Sequence, residues 1–267
     1  MKTNFRLIFH FYVFDGMQDS KVCNLHFACL SEYSKIFTES VFVLSIDDVN
    51  NTEALDYAKK RIIESGFVDN VKFIVVKNNE WQETGTFYDM VVKKLDDLDG
   101  LTFFAHSKGV GNERSGEFKM EEIYQWIIAL YFLNLRYVDE VVHTLIRSPF
   151  LKTYGALKCS WEDIENKYRW IYSGTFFWMN TKRIYAYAQR HNIEIPTPHN
   201  RYYSECFLGD ILEINYDSTS HGSWYLIGDN VQGWYHMASK YIDCYLLTDD
   251  DKKEYYEFKD KMLCRIK

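Results

Sequence analysis

Apolar positions along this chain follow two alternating rhythms up to Ala105. Short, nearly continuous apolar runs are separated by longer stretches with helical spacing. Phe5 to Phe14 has the character of a buried strand. Val22 to Phe37 follows, with Leu25, Cys29, Leu30, Tyr33, Ile36 and Phe37 at helical intervals. Val41 to Ile46 is a second buried strand that stops at Asp47-Asp48. A helix is predicted from Asn51-Thr52 to about Ser65, with Gly66 behind it as a C-terminal stop. Val71 to Val76 is a third strand ending in Lys77-Asn78-Asn79. Thr84 to Leu98 is predicted helical, with Phe87, Val91 and Leu95 on one face, and Leu101 to Ala105 is the fourth strand. The order β-α-β-α-β-α-β with short connections implies an α/β fold: a mostly parallel central sheet with helices on both faces.

The second half breaks that alternation. Gly109 to Gly116 is glycine- and charge-rich and is expected to be a mobile loop. Glu121 to Arg147 reads as one or two helices with Trp126, Leu130, Leu133 and Leu135 apolar. Tyr154-Gly155-Ala156 and Tyr172 to Met179 read as strands, Thr181 to His191 as a helix closed by Pro196-Thr197-Pro198, and Asn200 to Leu212 as helical around Glu205. Ile227 to Leu247 alternates aromatic and polar residues, and Thr248 to Lys261 reads as a charged, exposed helix. With only three prolines and no Ser/Gly linker, two independent domains are not expected. The organisation predicted is one domain over residues 1–247, in two halves at 1–109 and 110–247, followed by a charged C-terminal helix or tail at 248–267.

Composition changes this picture little. At 267 residues, 47 % of them apolar and 26 % charged, the chain is an ordinary globular one with room for a sizeable core. A net charge of −7 without a Lys/Arg stripe argues against nucleic acid as a partner. The longest apolar candidate for a membrane span, Ile123 to Leu135, is too short and holds Gln125 and Asn134. No leader is expected from Met1-Lys-Thr-Asn-Phe-Arg. The six cysteines (Cys23, Cys29, Cys159, Cys206, Cys244 and Cys264) form no C-x-x-C pair, so a reducing cytoplasm with free thiols is the expected setting, at most peripheral to the inner membrane face.

The chemistry concentrates where strands end. In a parallel sheet, Asp47-Asp48, Asn78-Asn79 and His106-Ser107-Lys108 share the carboxyl rim, where α/β proteins bind ligands. An imidazole, a hydroxyl and an ammonium on consecutive residues suit an anionic, oxygen-rich ligand such as a diphosphate. A plain strand followed by an exposed loop accounts for the same string.

Three strings in order, His106-Ser107-Lys108-Gly109, Ser173-Gly174-Thr175-Phe176-Phe177-Trp178 and Arg201-Tyr202-Tyr203-Ser204-Glu205, make the chain resemble GT-A glycosyltransferases. The likeness is to bacterial polysaccharide-biosynthesis transferases with H-[ST]-K-G, S-G-x-F-W and R-Y-x-x-E, and it covers roughly residues 5 to 240. The resemblance implies a single GT-A-like (Rossmann-like) domain, with a nucleotide-binding half at 1–109 and an acceptor half at 110–247. It implies transfer of a sugar from a nucleotide-sugar donor to a glycan or lipid-linked glycan acceptor in surface polysaccharide synthesis. Donor binding then falls to Phe11, Asp47, Asp48, Thr84, Gly85, His106, Ser107 and Lys108, and acceptor binding to Ser173, Gly174, Trp178, Arg201 and Tyr202. Glu205 becomes the base of an inverting transfer, with Arg201 one helical turn earlier as its partner and Asp210 in reserve.

The chain departs from the family at the fourth strand, where Asp-x-Asp would hold Mg²⁺ or Mn²⁺. No carboxylate stands there, so no metal ligand is assigned and Lys108 is expected to neutralise the diphosphate itself, with His106 donating a hydrogen bond to it or to the sugar. His236, in Trp-Tyr-His-Met, is a late candidate ligand, or a core histidine among aromatics. A non-catalytic nucleotide- or glycan-binding module on the same fold is the alternative function. Hydrolase and methyltransferase readings lack their G-x-S-x-G and G-x-G-x-x-G strings.

Overall fold

The computed structural model describes residues 3–115, 119–147, 151–156, 158–162, 168–172, 174–212, 223–225 and 248–267, with side chains at 158–162, 168–169 and 223–225 excepted. Strands β1 (Phe5–Val13), β2 (Glu39–Ile46), β3 (Val71–Lys77) and β4 (Leu101–His106) pair in parallel. Short strands β5 (Thr153–Gly155), β8 (Phe177–Met179) and β9 (Ser223–Tyr225) extend the sheet to the order β3-β2-β1-β4-β8-β5-β9. Strand β8 runs antiparallel to both β4 and β5. Strands β6 (Lys158–Glu162) and β7 (Tyr168–Tyr172) form a separate antiparallel pair. The fold is therefore α/β with a mixed, mostly parallel sheet.

The period-2 rule assigns the two faces. On β1, Leu7, Phe9, Phe11 and Val13 enter the larger core, beneath helices α1 (Lys21–Tyr33), α2 (Thr52–Glu64) and α5 (Met120–Leu135). Ile8 faces the other way, into a second core with Phe87 of α3 (Glu83–Met90), Ile184 of α7 (Thr181–His191) and Phe207 of α8 (Tyr203–Leu212). His10 and His106 lie directly opposite one another in the β1–β4 register, at the carboxyl end of that second face.

Local chemistry explains most boundaries. The Ser20 side chain accepts from Cys23 N–H and caps α1; Asn51 caps α2 through Ala54 N–H; Gly66 ends α2 at φ +96°. Three expectations change. The helix expected over Thr84–Leu98 stops at Met90 and continues as a 3₁₀ turn over Val92–Lys94, at the β-branched pair Val91-Val92 that favours a helix least. The strand expected over Tyr172–Met179 is two strands of different sheets, broken at Gly174 and Thr175, both at positive φ. Val110–Ser115, expected as a loop, is the short helix α4. Glu113 anchors it: its carboxylate accepts from the Ser20 hydroxyl and from the N–H groups of Lys21 and Val22 at the start of α1.

A short helix α6 (Val138–Val142) follows α5. The last helix, α9 (Asp249–Cys264), docks instead of standing free: Tyr255 meets Phe132 edge-on, Phe258 packs on Tyr33, and Lys261 and Arg265 pair with Glu32. Cys23, Cys29 and Cys264 are free thiols; Cys159 and Cys244 fall outside the described side chains. No helix among the described residues is long and apolar enough to cross a membrane.

Candidate functional site

A cleft of about 610 Å³ opens at the carboxyl rim, over the ends of β1 and β4. Its lining includes His10, His106 and Ser107 from the strand ends, Glu83 and Glu205, and Arg114 from α4. The sheet geometry dictates the gathering: His10 and His106 share a face because they are in register, and both carboxylates project from the first turns of their helices, where the macrodipole favours negative charge.

Lys108 and Glu205, ninety-seven positions apart by number, meet here: Nζ lies 3.6 Å from Oε1. The ammonium also stands over the Trp126 ring, 4.7 Å from its centroid. Glu205 is only 4 % exposed. Thr175 donates its hydroxyl to Oε1 at 3.4 Å, while Oε2 is buried with no hydrogen-bond partner among the described residues. Burial pushes the Glu205 carboxyl above the ordinary range, against the pull of Lys108, and the nearby Glu83 adds to the rise. Thr175 reaches Glu205 from a left-handed backbone, φ 59°, costly for a β-branched residue; Gln82, also lining the cleft, sits at φ 46°. Strain of this kind collects where structure serves a site. Helix α8 lies tight against β7: a Cβ on Gly209 would stand 2.2 Å from the Trp170 carbonyl oxygen, so only glycine lets Glu205 sit this deep.

The three buried histidines are neutral. Burial drives His10 and His26 down to about 4, and His106 well below its usual value, with the Lys108 ammonium adding to the effect. His26 braces the loop from below: one ring nitrogen is 2.8 Å from the Lys108 carbonyl, the other 2.9 Å from the Tyr131 hydroxyl. His106 Nε2 donates to the Gly174 carbonyl at 3.1 Å, since a carbonyl only accepts. The expectation that His106 donates into the cleft is therefore corrected: its one N–H is spent on the backbone, and Nδ1, 3.7 Å from Glu83 Oε2, carries the lone pair.

At the outer end Arg114 donates to the Tyr12 hydroxyl at 2.6 Å, Tyr12 donates to Asp47 Oδ2 at 2.6 Å, and Asn78 donates to Asp47 Oδ1 at 2.9 Å. The Tyr12 bond, then the Asn78 bond, hold the Asp47 carboxyl below its usual range. Ser107 accepts from the Tyr12 N–H at 2.9 Å, tying the two strand ends together.

Other expected site residues fall elsewhere. Phe11 is corrected from the rim to the core: it alternates inward and stacks on Phe27 at 5.0 Å, and Tyr12 occupies the rim instead. Trp178 is likewise core, fully buried with its indole N–H donating to the Asn134 carbonyl. Thr84 is buried and donates to the Arg201 carbonyl at 2.7 Å, fastening α3 to the turn before α8. Gly85 lies beside it, off the cleft, with room for a Cβ. Asp48 closes a local turn on Asn50, and Gly174 contributes its carbonyl to His106 from beneath. Arg201 and Tyr202 do line the cleft, but Arg201 precedes α8 and donates to the Tyr202 hydroxyl, so Lys108, and not Arg201, partners Glu205. Asp210 lies farther along α8, away from the described cleft lining. Ser173 and His236 lie outside the described residues. No group of three or more His, Cys, Asp or Glu side chains among the described residues is placed to hold a metal ion.

Sequence reasoning missed His10, Glu83 and Arg114. Strand alternation was the available signal for His10, since inward Phe9 and Phe11 send it to the other face. No protein-family model matches this chain, and no curated protein sequence is detectably similar to it.

Proposed function

We propose that this chain is a glycosyltransferase of the GT-A kind, moving a sugar from a nucleotide-sugar donor to a hydroxyl of a glycan acceptor, with Glu205 as the base of an inverting transfer. One observation carries the reading: a buried carboxylate, one oxygen of which has no hydrogen-bond partner among the described residues, lies beside an ammonium at the carboxyl rim of the parallel strands. In the reaction the acceptor hydroxyl oxygen forms a bond to the anomeric carbon as the bond from that carbon to the diphosphate oxygen breaks. Glu205 takes the hydroxyl proton, and Lys108 and Arg114 offset the charge that gathers on the departing diphosphate. A base held above the ordinary carboxyl range suits this role, because proton affinity rises with its pKa. The residues supply cations in place of a metal-binding carboxylate pair, which favours neutralisation by Lys108 over a divalent ion.

Glu205→Gln is expected to reduce transfer by about 10²-fold or more, the usual contribution of a general base, with nucleoside diphosphate affinity retained. Lys108→Ala is expected to weaken UDP, GDP or dTDP binding about tenfold, measured by calorimetry with and without Mn²⁺. Full activity in the Gln variant would remove Glu205 from the mechanism. Diphosphate binding without any transfer to a panel of glycans would favour the binding-module alternative.

A further inference from the structure

The inner end of the cleft is rich in hydrogen-bond acceptors. His106 gives its only N–H to the Gly174 carbonyl, so the nitrogen it turns towards Glu83 is an acceptor. Glu83 Oε2 lies 3.7 Å from that nitrogen, and the Glu83 side chain is 12 % exposed. The buried oxygen of Glu205, without a described partner, belongs to the same cleft. Two acceptors at that separation do not satisfy one another; hydroxyl groups approaching both from the open side of the cleft can donate an O–H to each. The Lys108 ammonium is engaged by Glu205 Oε1 and the face of Trp126, and Arg114 by the Tyr12 hydroxyl, which leaves the Glu83 and His106 acceptors to a neutral hydroxylated portion of the ligand.

We propose, resting on the transferase reading above, that Glu83 and His106 form a hydroxyl-accepting subsite that takes the ring of a neutral, polyhydroxylated sugar and rejects a uronate. Ring hydroxyls donate to Glu83 Oε2 and His106 Nδ1. A sugar carboxylate brought to the same place meets the carboxyl oxygens of Glu83 and Glu205, with no donor left on His106. Neutral histidine is part of the device: burial and the Lys108 charge keep the second proton off the ring. Glu83 acts here as a specificity residue and takes no part in proton transfer.

The test compares matched sugar nucleotides by calorimetry: UDP-glucose with UDP-glucuronate, and GDP-mannose with GDP-mannuronate, after UDP, GDP and dTDP have been screened by thermal shift. The neutral partner is expected to bind about tenfold or more tighter than the uronate, a margin typical of misplaced polar groups. Glu83→Gln should narrow that ratio to about threefold or less while leaving affinity for the bare diphosphate unchanged. Glu83→Asp, which keeps the charge but retracts the oxygens, should still reject the uronate and yet hold the neutral sugar less tightly. Equal binding of the two sugars, or a ratio unmoved in Glu83→Gln, overturns the subsite while the transferase reading stands. If none of the diphosphates binds, the transferase reading falls. Saturation-transfer NMR with methyl glucoside and glucuronate on the wild type and Glu83→Gln then decides the subsite alone: a Glu83-dependent preference for the neutral sugar supports it, and no preference overturns it.

Discussion

At the scale of single residues, burial of ionisable groups is the main determinant. His10 and His26 sit in the fold with pKa values of about 4 against an ordinary 6.5, because the interior resists the charged ring. The unfolded chain binds protons at these positions below pH 6.5 and the folded chain does not, so stability falls as pH drops from 6.5 and levels off below about 4. Each histidine costs on the order of 3 kcal/mol across that window, from 2.5 pKa units at 1.36 kcal/mol each. Urea unfolding at pH 7 and pH 5 is expected to show the loss, and His26→Gln should shrink the difference between the two. Glu205 has the opposite sign. Its raised pKa makes the folded state hold a proton more tightly, so its contribution is favourable below the ordinary carboxyl range and is lost as pH climbs through its raised value. The buried charge at neutral pH is a cost the fold carries for its site.

At the scale of elements, α4 matters more than its six residues suggest. It holds Arg114 over Tyr12 and Phe14, and it keeps its place through Glu113, whose carboxylate satisfies donors at the start of α1. Glu113→Ala removes that cap and should lower stability by about 1–2 kcal/mol. The same change should weaken diphosphate binding several-fold by freeing Arg114, whereas an equally destabilising substitution far from the cleft should leave binding intact. Thermal denaturation and calorimetry on both variants make the comparison.

At the scale of the whole molecule, two cores sit on opposite faces of one sheet, and the site at its rim draws on both: Glu83 and Glu205 come from helices on the smaller core, while Lys108 over Trp126 and Arg114 over Phe14 rest on the larger. Helix α9 closes the larger core from the far end of the sequence. Tyr255, 2 % exposed and edge-on to Phe132, is its anchor. Tyr255→Ala should cost about 3 kcal/mol, the usual range for a large buried side chain. Because α9 meets Phe132 and Glu32, neither of which lines the cleft, diphosphate affinity at about 20 °C should not change. A parallel loss of affinity, measured by calorimetry below the unfolding transition, would mean that α5 or α1 transmits the loss of α9 packing to the cleft.

The sequence by itself determined the alternation of β1 to β4 with α1 to α3 and the rim where His106, Ser107 and Lys108 end a strand. These follow from local periodicity and from residue types that stop a strand, which a chain displays without folding. Tertiary structure alone decided the partners. Lys108 meets Glu205, and His106 meets Gly174 and Glu83, because pairing in the sheet and the approach of α8 at Gly209 bring distant segments together. Short-range pattern also misjudged Phe11 and Trp178, whose rings are equally at home on a ligand or in a core. Only the face to which strand alternation turned each one separated the two, and that face is fixed by packing across the whole sheet.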